Sequence, residues 1–425
     1  MDIKSGFGWT VPYDSCKAWI SLDGFDIFFD SAWALHNDYN LNFNGQVNTE
    51  KEIQPLEIKN FKLFYRGQNF ENKLPILVDI REEDLDFKQV LLSSNQGEIK
   101  VSGTVTYEEE MDLKVDFANI PVEPWSDLFV SKGAFKGNFS ATTDLQGTFQ
   151  EPHLWLNGTI DSVKYIDVGL GKLNLNLVYK DRNLEIKDLT LSSAEANYNW
   201  NGYLPINLSF YQAKERLLDK PQRIIFQGEG TSFSLIHLFL VDVEYLTGNF
   251  TSNIQIEGTP IQPQLNGIVK LEKGVLKIKQ FQEPLQDVQA VIRMINEEIF
   301  FDEAVAYSDK KGKLTARGTI KIKDIKTFEY GLSLEGKNLF FTYEDIDLSI
   351  LTKLALTVSG ESPPLVSGQI IIQQASYEEP FSSSSSQAYY VSQVTTNPEE
   401  LWNWDCTGLA LNNFWVINSD LRAEF

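Results

Sequence analysis

The chain has 425 residues, of which 42% are hydrophobic, and its 59 acidic and 37 basic side chains give a formal net charge of −22. This length predicts two or three domains or one extended architecture, with ample apolar material for a core. The acidic balance argues against a nucleic-acid partner, because phosphate binding requires clustered lysine and arginine.

Cysteine and histidine show no catalytic or metal-binding pattern. Cys16 and Cys406 lie near opposite ends of the chain, so a disulfide between them and two unpaired thiols both remain open. His36, His153 and His237 are isolated from one another. The sequence contains no Gly-x-Ser-x-Gly elbow and no phosphate loop ending in lysine. We therefore predict a protein that is not an enzyme and that has no catalytic residue, metal or cofactor.

Membrane and targeting signals are also missing from the sequence pattern. The most apolar short window, LIHLFLVDV at 235–243, is too short to cross a bilayer. No basic start followed by an apolar core comes after Met1, so no signal peptide is visible. We expect either a cytosolic protein or a chain that lacks its original N-terminus.

Alternation with a period of two residues dominates the chain and predicts β-strands. KLNLNLVY at 172–179 places leucines and a tyrosine on one face and asparagines on the other. Helical periodicity is limited to two short stretches, 124–130 and 234–241. We predict that the apolar sides of such strands line a groove, with the lining residues Leu173, Leu175, Leu177, Tyr179, Ile254, Ile256, Leu276, Ile278, Leu354, Leu356 and Val358.

A glycine–proline–glycine motif recurs between strands. It reads GTFQEPHLWLNG at 147–158, EGTPIQPQLNG at 257–267 and GESPPLVSG at 360–368. Glycine permits a sharp bend, and proline removes a hydrogen-bond donor from the ladder. These residues are therefore predicted to be structural turn residues: Gly147, Pro152, Gly158, Gly258, Pro263, Gly267, Gly360, Pro364 and Gly368.

A second unit alternates with these motifs. The windows 82–103, 181–202 and 297–318 align without a gap, share five apolar columns and each end on a glycine. The chain thus repeats a cycle of about a hundred residues, enough for several antiparallel strands.

The predicted fold is all-β: an elongated, coiled antiparallel sheet that forms an open apolar groove, with a few short helices. Three stacked sandwiches are the alternative, but no polar linker separates the cycles. The predicted domains are a β-rich segment at 1–80, the repeating groove at 81–380, a flexible Ser-rich loop at 381–398 and resumed strands at 399–425, where the chain looks truncated.

These motifs resemble the AsmA-like superfamily and, within it, the TamB type. LQGTFQEPHLWLNGTI, IEGTPIQPQLNGIVKLEKG and LTVSGESPPLVSGQIIIQQASYEEP carry the resemblance, which extends over roughly residues 80–425. It implies a periplasmic β-groove in the cell envelope, anchored in the inner membrane in full-length members. It also implies transport of phospholipid between the inner and outer membranes, and a link to outer-membrane protein assembly and secretion with an Omp85-type β-barrel partner. No N-terminal anchor is visible in this chain, which leaves the anchoring without direct support.

Two other functions stay open at this stage. A structural or adhesive surface protein, built as a β-solenoid or as stacked sandwiches, would use the same alternation but close its apolar face completely. A polysaccharide-cleaving β-helix is less consistent with the pattern, because its rungs are shorter than a hundred-residue cycle.

Overall fold

The computed structural model describes most of the chain up to Tyr377. The described residues are 2–8, 11–37, 39–128, 134–211, 213, 215–238, 240, 242–308, 312–324, 327–343, 348–361 and 363–377. The predicted Ser-rich loop, the predicted strands at 399–425 and Cys406 lie outside these residues.

Within the described residues the chain forms 24 strands, which belong to one antiparallel sheet. The first fourteen are β1 Asp2–Gly8, β2 Val11–Asp23, β3 Asp26–His36, β4 Tyr39–Asn48, β5 Gln54–Tyr65, β6 Gln68–Asn72, β7 Ile76–Ile80, β8 Asp84–Ser93, β9 Glu98–Thr106, β10 Glu110–Pro121, β11 Phe135–Thr148, β12 Pro152–Tyr165, β13 Val168–Lys180 and β14 Asn183–Ser192. The others are β15 Ala196–Pro205, β16 Arg223–Ser232, β17 Val243–Gly258, β18 Pro263–Ile278, β19 Leu285–Asn296, β20 Glu298–Ser308, β21 Gly312–Ile322, β22 Phe328–Tyr343, β23 Leu348–Glu361 and β24 Leu365–Tyr377. The prediction of an all-β chain with little helix is confirmed.

Both predicted helical stretches form single short 3₁₀ helices, Glu123–Leu128 and Ser234–Leu238. Trp125 in the first packs its ring 4.9 Å from that of Tyr65, at the end of β5. Among the described residues, no helix has the length and apolar character needed to span a membrane.

Strands that follow one another in the chain pair with each other from β1 to β6, from β7 to β14 and from β17 to β24, and β6 and β7 interrupt the first series. β5 pairs with β6 through its C-terminal half and with β7 through its N-terminal half, so β6 and β7 together occupy one position. The side chain of Asn72 bridges the break, because its Oδ1 accepts from the Phe61 amide at 2.6 Å while its Nδ2 donates to the Leu74 carbonyl at 2.9 Å. A core cluster of Ile76, Val78 and Val90 lies beside this break.

The chain divides into two compact units. The first consists of Met1–Ala194 and Tyr198–Ile224, and the second of Glu195–Asn197 and Ile225–Phe425. The sequence-based division at residue 80 falls inside the first unit, between β7 and β8.

The three ungapped windows adopt the same local structure. Each consists of two successive strands, β8 and β9 for 82–103, β14 and β15 for 181–202, and β20 and β21 for 297–318. The terminal glycine of each window lies within the second strand rather than after it.

Candidate functional site

The four predicted groove residues of β13 lie on one face of the sheet, opposite apolar residues on both neighbouring strands. Residues directly opposite each other in a ladder share a face, so each triplet forms a short row. The triplets are Ile160–Leu173–Leu191, Gly158–Leu175–Leu189, Leu156–Leu177–Ile186 and Leu154–Tyr179–Leu184.

Such rows continue across the first unit. One row crosses twelve strands through apolar residues and glycine alone. From β2 to β14 it contains Leu22, Ile27, Val47, Leu56, Val78, Phe87, Gly103, Leu113, Leu145, Leu154, Tyr179 and Leu184. The first unit therefore has one continuous apolar face, which we call the first apolar face.

The second unit has a face of the same kind, the second apolar face. One row crosses the eight strands from β17 to β24 through Phe250, Leu271, Ala290, Ala304, Ala316, Leu334, Leu356 and Gly368. The remaining predicted groove residues lie on this face, in the pairs Ile254–Gly267, Ile256–Leu265, Leu246–Leu276, Val243–Ile278, Leu354–Ile370 and Val358–Val366.

Some residues of the apolar faces are fully buried, whereas others remain partly exposed. Val163 and Leu170, at the ends of β12 and β13, are 1% and 4% exposed, and Leu339 in the second unit is completely buried. By contrast, Leu175 and Leu356 in mid-strand remain partly exposed. A closed core would bury these two leucines as completely as the others.

The opposite face of the sheet is polar and hydrogen-bonded. Beside the leucines of β13, Asn176 pairs with Asp188 across the ladder. The Nδ2 of Asn199 on β15 donates to Asp188 Oδ1 at 2.8 Å and to Thr190 Oγ1 at 2.9 Å. Around β13 the sheet thus separates a polar face from an apolar one.

The predicted turn residues occupy two kinds of position. Gly147 is the next-to-last residue of β11 and is paired with Pro152, and Gly258 ends β17 and is paired with Pro263. In both turns a threonine follows the glycine: Thr148 Oγ1 accepts from the Glu151 amide at 3.1 Å, and Thr259 Oγ1 accepts from the Gln262 amide at 3.2 Å. Gly360 lies near the end of β23, and Pro364 directly precedes β24.

The second glycine of each motif lies inside the following strand rather than in the turn. A Cβ on Gly158, Gly267 or Gly368 would lie 2.6, 2.2 or 2.1 Å from a carbonyl oxygen of the neighbouring strand. These positions therefore require close backbone approach, which only glycine permits.

One element of the site has no counterpart in the sequence-based prediction. The described residues between β15 and β16, namely 206–211, 213 and 215–222, are here called the strap, and they contact strand ends of the first unit. The Leu208 amide donates to the Tyr179 hydroxyl at 2.9 Å, and the Phe210 amide donates to the Phe149 carbonyl at 2.9 Å. As a result Tyr179 is only 1% exposed, so the predicted lining ends there beneath the strap. In the sequence, the loss of alternation in NLSFYQAKERLLDK at 207–220 could have indicated that this segment is not a strand.

Within the part of the chain that the structure describes, no three His, Cys, Asp or Glu side chains form a group suited to a metal ion. The described residues form apolar surface that is partly exposed, for example at Leu175 and Leu356. The opposite face of the sheet around β13 is polar. An exposed apolar surface binds and positions apolar chains by excluding water from them.

Comparison with protein-family models gives a match to the TamB C-terminal domain over residues 302–420, somewhat more than a quarter of the chain. The matched segment begins in β20 and includes β21 to β24. The comparison with curated proteins and the comparison with solved structures each found no significant match.

Proposed function

We propose that the chain is a TamB-like protein of the AsmA-like superfamily and that it carries phospholipid, as the match of residues 302–420 to the TamB C-terminal domain supports. The acyl chains lie on the two apolar faces, and the headgroup stays in water. Transfer of this kind requires no covalent chemistry and no catalytic residue.

The energetic requirement for such a carrier is large. A phospholipid with two acyl chains contains about 30 methylene groups, and exposing them to water costs on the order of 24 kcal/mol at about 0.8 kcal/mol each. A transfer route must therefore keep apolar surface against the chains at every step.

The observation that carries the proposal is the unbroken row of apolar residues and glycine across each unit. In the first unit the row from Leu22 to Leu154 contains only apolar residues and glycine, and it then reaches Tyr179, which is buried beneath the strap. In the second unit the row from Phe250 to Gly368 also contains only apolar residues and glycine. Along these rows an acyl chain would contact no charged or hydrogen-bonding side chain.

Partial exposure of the mid-strand leucines supports a carrier over the alternative of a structural or adhesive protein. An adhesin gains stability by closing its core, so its apolar face has no reason to remain accessible. In this chain Leu175 and Leu356 stay partly exposed.

We further propose, from the family resemblance, that the protein works in the periplasm between the two membranes. Its partners in that role are phospholipid, the membranes at the ends of the full-length protein and an Omp85-type outer-membrane β-barrel.

Bound lipid provides the direct test. The full chain is purified from a bacterial host, extracted with organic solvent, and its lipids are counted by mass spectrometry against an unrelated soluble protein from the same preparation. We expect phospholipid at a stoichiometry of one or more per chain. Phospholipid no higher than in the control protein contradicts the transport function.

A further inference from the structure

A polar cavity lies where the strap crosses the strand ends of the first unit. It has a volume of about 310 Å³ and is lined by Gln150, Arg182, Asn207, Ser209, Tyr211 and Ala213. Gln150 belongs to the β11–β12 turn and Arg182 to the β13–β14 turn. The cavity is within the range of small-ligand sites, and the buried Tyr179 lies at the end of the first apolar face close by, bonded to the strap.

The side chains around the cavity offer hydrogen-bond donors. Arg182 uses one nitrogen, Nη2, in a 3.2 Å contact with Glu151 Oε1, and its Nε has no partner among the described residues. Asn207 uses its amide oxygen to accept from the Ser209 amide at 3.0 Å, so its Nδ2 donor is not engaged within the described part of the strap. A guanidinium and an amide with spare donors are the groups that bind a phosphate.

Two carboxylates contact residues that line the cavity. Glu151 contacts Arg182, and Glu109 accepts a hydrogen bond from the Tyr211 hydroxyl. Glu151 is 67% exposed, so its ion pair with Arg182 is weak and exchangeable. Negative charge beside a phosphate site disfavours a second anionic group and favours a cationic one.

Side-chain hydrogen bonds hold the described part of the strap beside the cavity. Arg216 Nη1 donates to the Asn207 carbonyl at 3.0 Å and to the Ser209 carbonyl at 2.8 Å. Ser209 is 6% exposed, and its hydroxyl donates to the Phe149 carbonyl at 3.3 Å. Arg216 is therefore a positioning residue that fixes the strap without lining the cavity.

We infer that this cavity binds the headgroup of a zwitterionic phospholipid, with Arg182 and Asn207 on the phosphodiester and Glu109 and Glu151 near the ammonium group. The inference rests on the proposed phospholipid transport. The acyl chains lie on the partly exposed residues of the first apolar face beyond the buried Tyr179, such as Leu175 and Leu177.

The test is a competition between lipids with identical chains. Delipidated full-length protein is incubated with vesicles containing equal amounts of phosphatidylethanolamine, phosphatidylglycerol and diacylglycerol, re-isolated, and its bound lipids are quantified. We expect phosphatidylethanolamine to exceed diacylglycerol by about tenfold, the effect of one charged hydrogen bond. In Arg182→Gln this preference disappears, while the total amount of bound lipid changes little.

Arg317→Gln is the matched control, because Arg317 Nη2 also makes one exposed ion pair with a glutamate, 2.7 Å to Glu303 Oε1, outside the strap. It should keep the preference. Glu151→Gln, which removes the competing carboxylate, should raise the share of phosphatidylglycerol.

Retention of the preference in Arg182→Gln overturns the headgroup site, whereas failure of the wild type to bind any lipid overturns the transport function. Phosphorus NMR with inorganic phosphate and with glycerophosphoethanolamine separates the two sources of phosphate. Arg182-dependent binding of inorganic phosphate alone, without the glycerophosphodiester, identifies a free-phosphate site and contradicts the inference.

Discussion

The backbone amide of Leu208 donates a hydrogen bond of 2.9 Å to the hydroxyl of Tyr179, which joins the strap to the apolar side of β13. Because Tyr179 is 1% exposed, its hydroxyl has no water to replace this partner. Tyr179→Phe should destabilise the strap by about 1 kcal/mol. Hydrogen exchange of the amides at 206–211 should then become about fivefold faster.

Tyr203→Phe is the control for this prediction, since Tyr203 is 38% exposed and its hydroxyl makes no hydrogen bond within the described residues. Exchange of the strap amides should not change in that variant. Equal acceleration in both variants would show that the hydroxyl of Tyr179 does not hold the strap.

A charge on an apolar face should block lipid binding without disrupting the sheet. Leu175→Asp and Leu356→Arg place an ion on the first and second apolar faces, where contact with acyl chains would strip its water. We expect bound phospholipid to fall by about tenfold or more, corresponding to loss of one leucine contact and the added desolvation cost. Lipid is quantified by mass spectrometry, and folding is checked by far-UV circular dichroism.

The adjacent residues supply matched controls. Asn176 and Thr357 are exposed and point to the opposite side of the sheet from their neighbours Leu175 and Leu356. Asn176→Asp and Thr357→Arg introduce the same charges one position away and should leave lipid binding unchanged. If the controls lose as much lipid as the leucine variants, the apolar faces are not the binding surface.

The alternating pattern predicted the strands because it follows directly from strand geometry. Leu173, Leu175 and Leu177 share a face since successive side chains point to opposite sides of a strand. The spacing of Leu354, Leu356 and Val358 predicted their common face for the same reason, and the ladder places all three opposite apolar residues or glycine on β22 and β24.

Features that depend on contacts between residues distant in sequence could not be predicted from the alternating pattern. The strap is held by Tyr179, Phe149 and Arg182, which lie between 24 and 61 residues before its hydrogen-bonding partners. No local periodicity encodes those contacts. Likewise, Gly267 looks like part of a turn in sequence, but its role is set by the Asn253 carbonyl on β17, 2.2 Å from where its Cβ would lie.

The ion pair between Arg293 and Asp302 in the second unit should make the stability of the fold depend on pH. Two hydrogen bonds, Nε to Oδ2 at 2.5 Å and Nη2 to Oδ1 at 2.7 Å, hold the pKa of the Asp302 carboxyl below its ordinary value of 3.8. A lowered pKa in the folded state stabilises the fold above the unfolded value, and this stabilisation is lost as pH falls through the folded pKa. Arg293→Gln should raise the pKa of Asp302 toward 3.8, as measured by NMR of carboxyl-labelled aspartate.

Arg317→Gln is the control for this prediction, because it removes a different arginine–carboxylate pair of the second unit. The hydrogen bond from Arg317 lowers the pKa of Glu303, so this variant should raise the pKa of Glu303 and leave that of Asp302 unchanged. An unchanged pKa of Asp302 in Arg293→Gln would show that the ion pair is not formed in solution.

The terminal glycines of the three windows, Gly103, Gly202 and Gly318, should each lose a similar amount of stability when replaced by alanine. A Cβ on Gly318 would lie 2.1 Å from the Gly331 carbonyl oxygen, and the φ of Gly318 is +138°. Gly103 and Gly202 have the same environment, with φ of +119° and +133° and carbonyl oxygens at 2.1 and 2.0 Å. Alanine at each should therefore destabilise its unit by about 2 kcal/mol or more, measured as a shift of the urea midpoint.

Gly331→Ala is the control within the same ladder. A Cβ there meets its nearest atom, Thr319 Oγ1, at an ordinary 3.6 Å, and the backbone does not require a positive φ. Its midpoint should stay the same or rise slightly, because alanine restricts the unfolded chain more than glycine does. If Gly318→Ala is as well tolerated as Gly331→Ala, the neighbouring strands can separate at little cost. The terminal glycines of the windows then do not fix the path of the sheet.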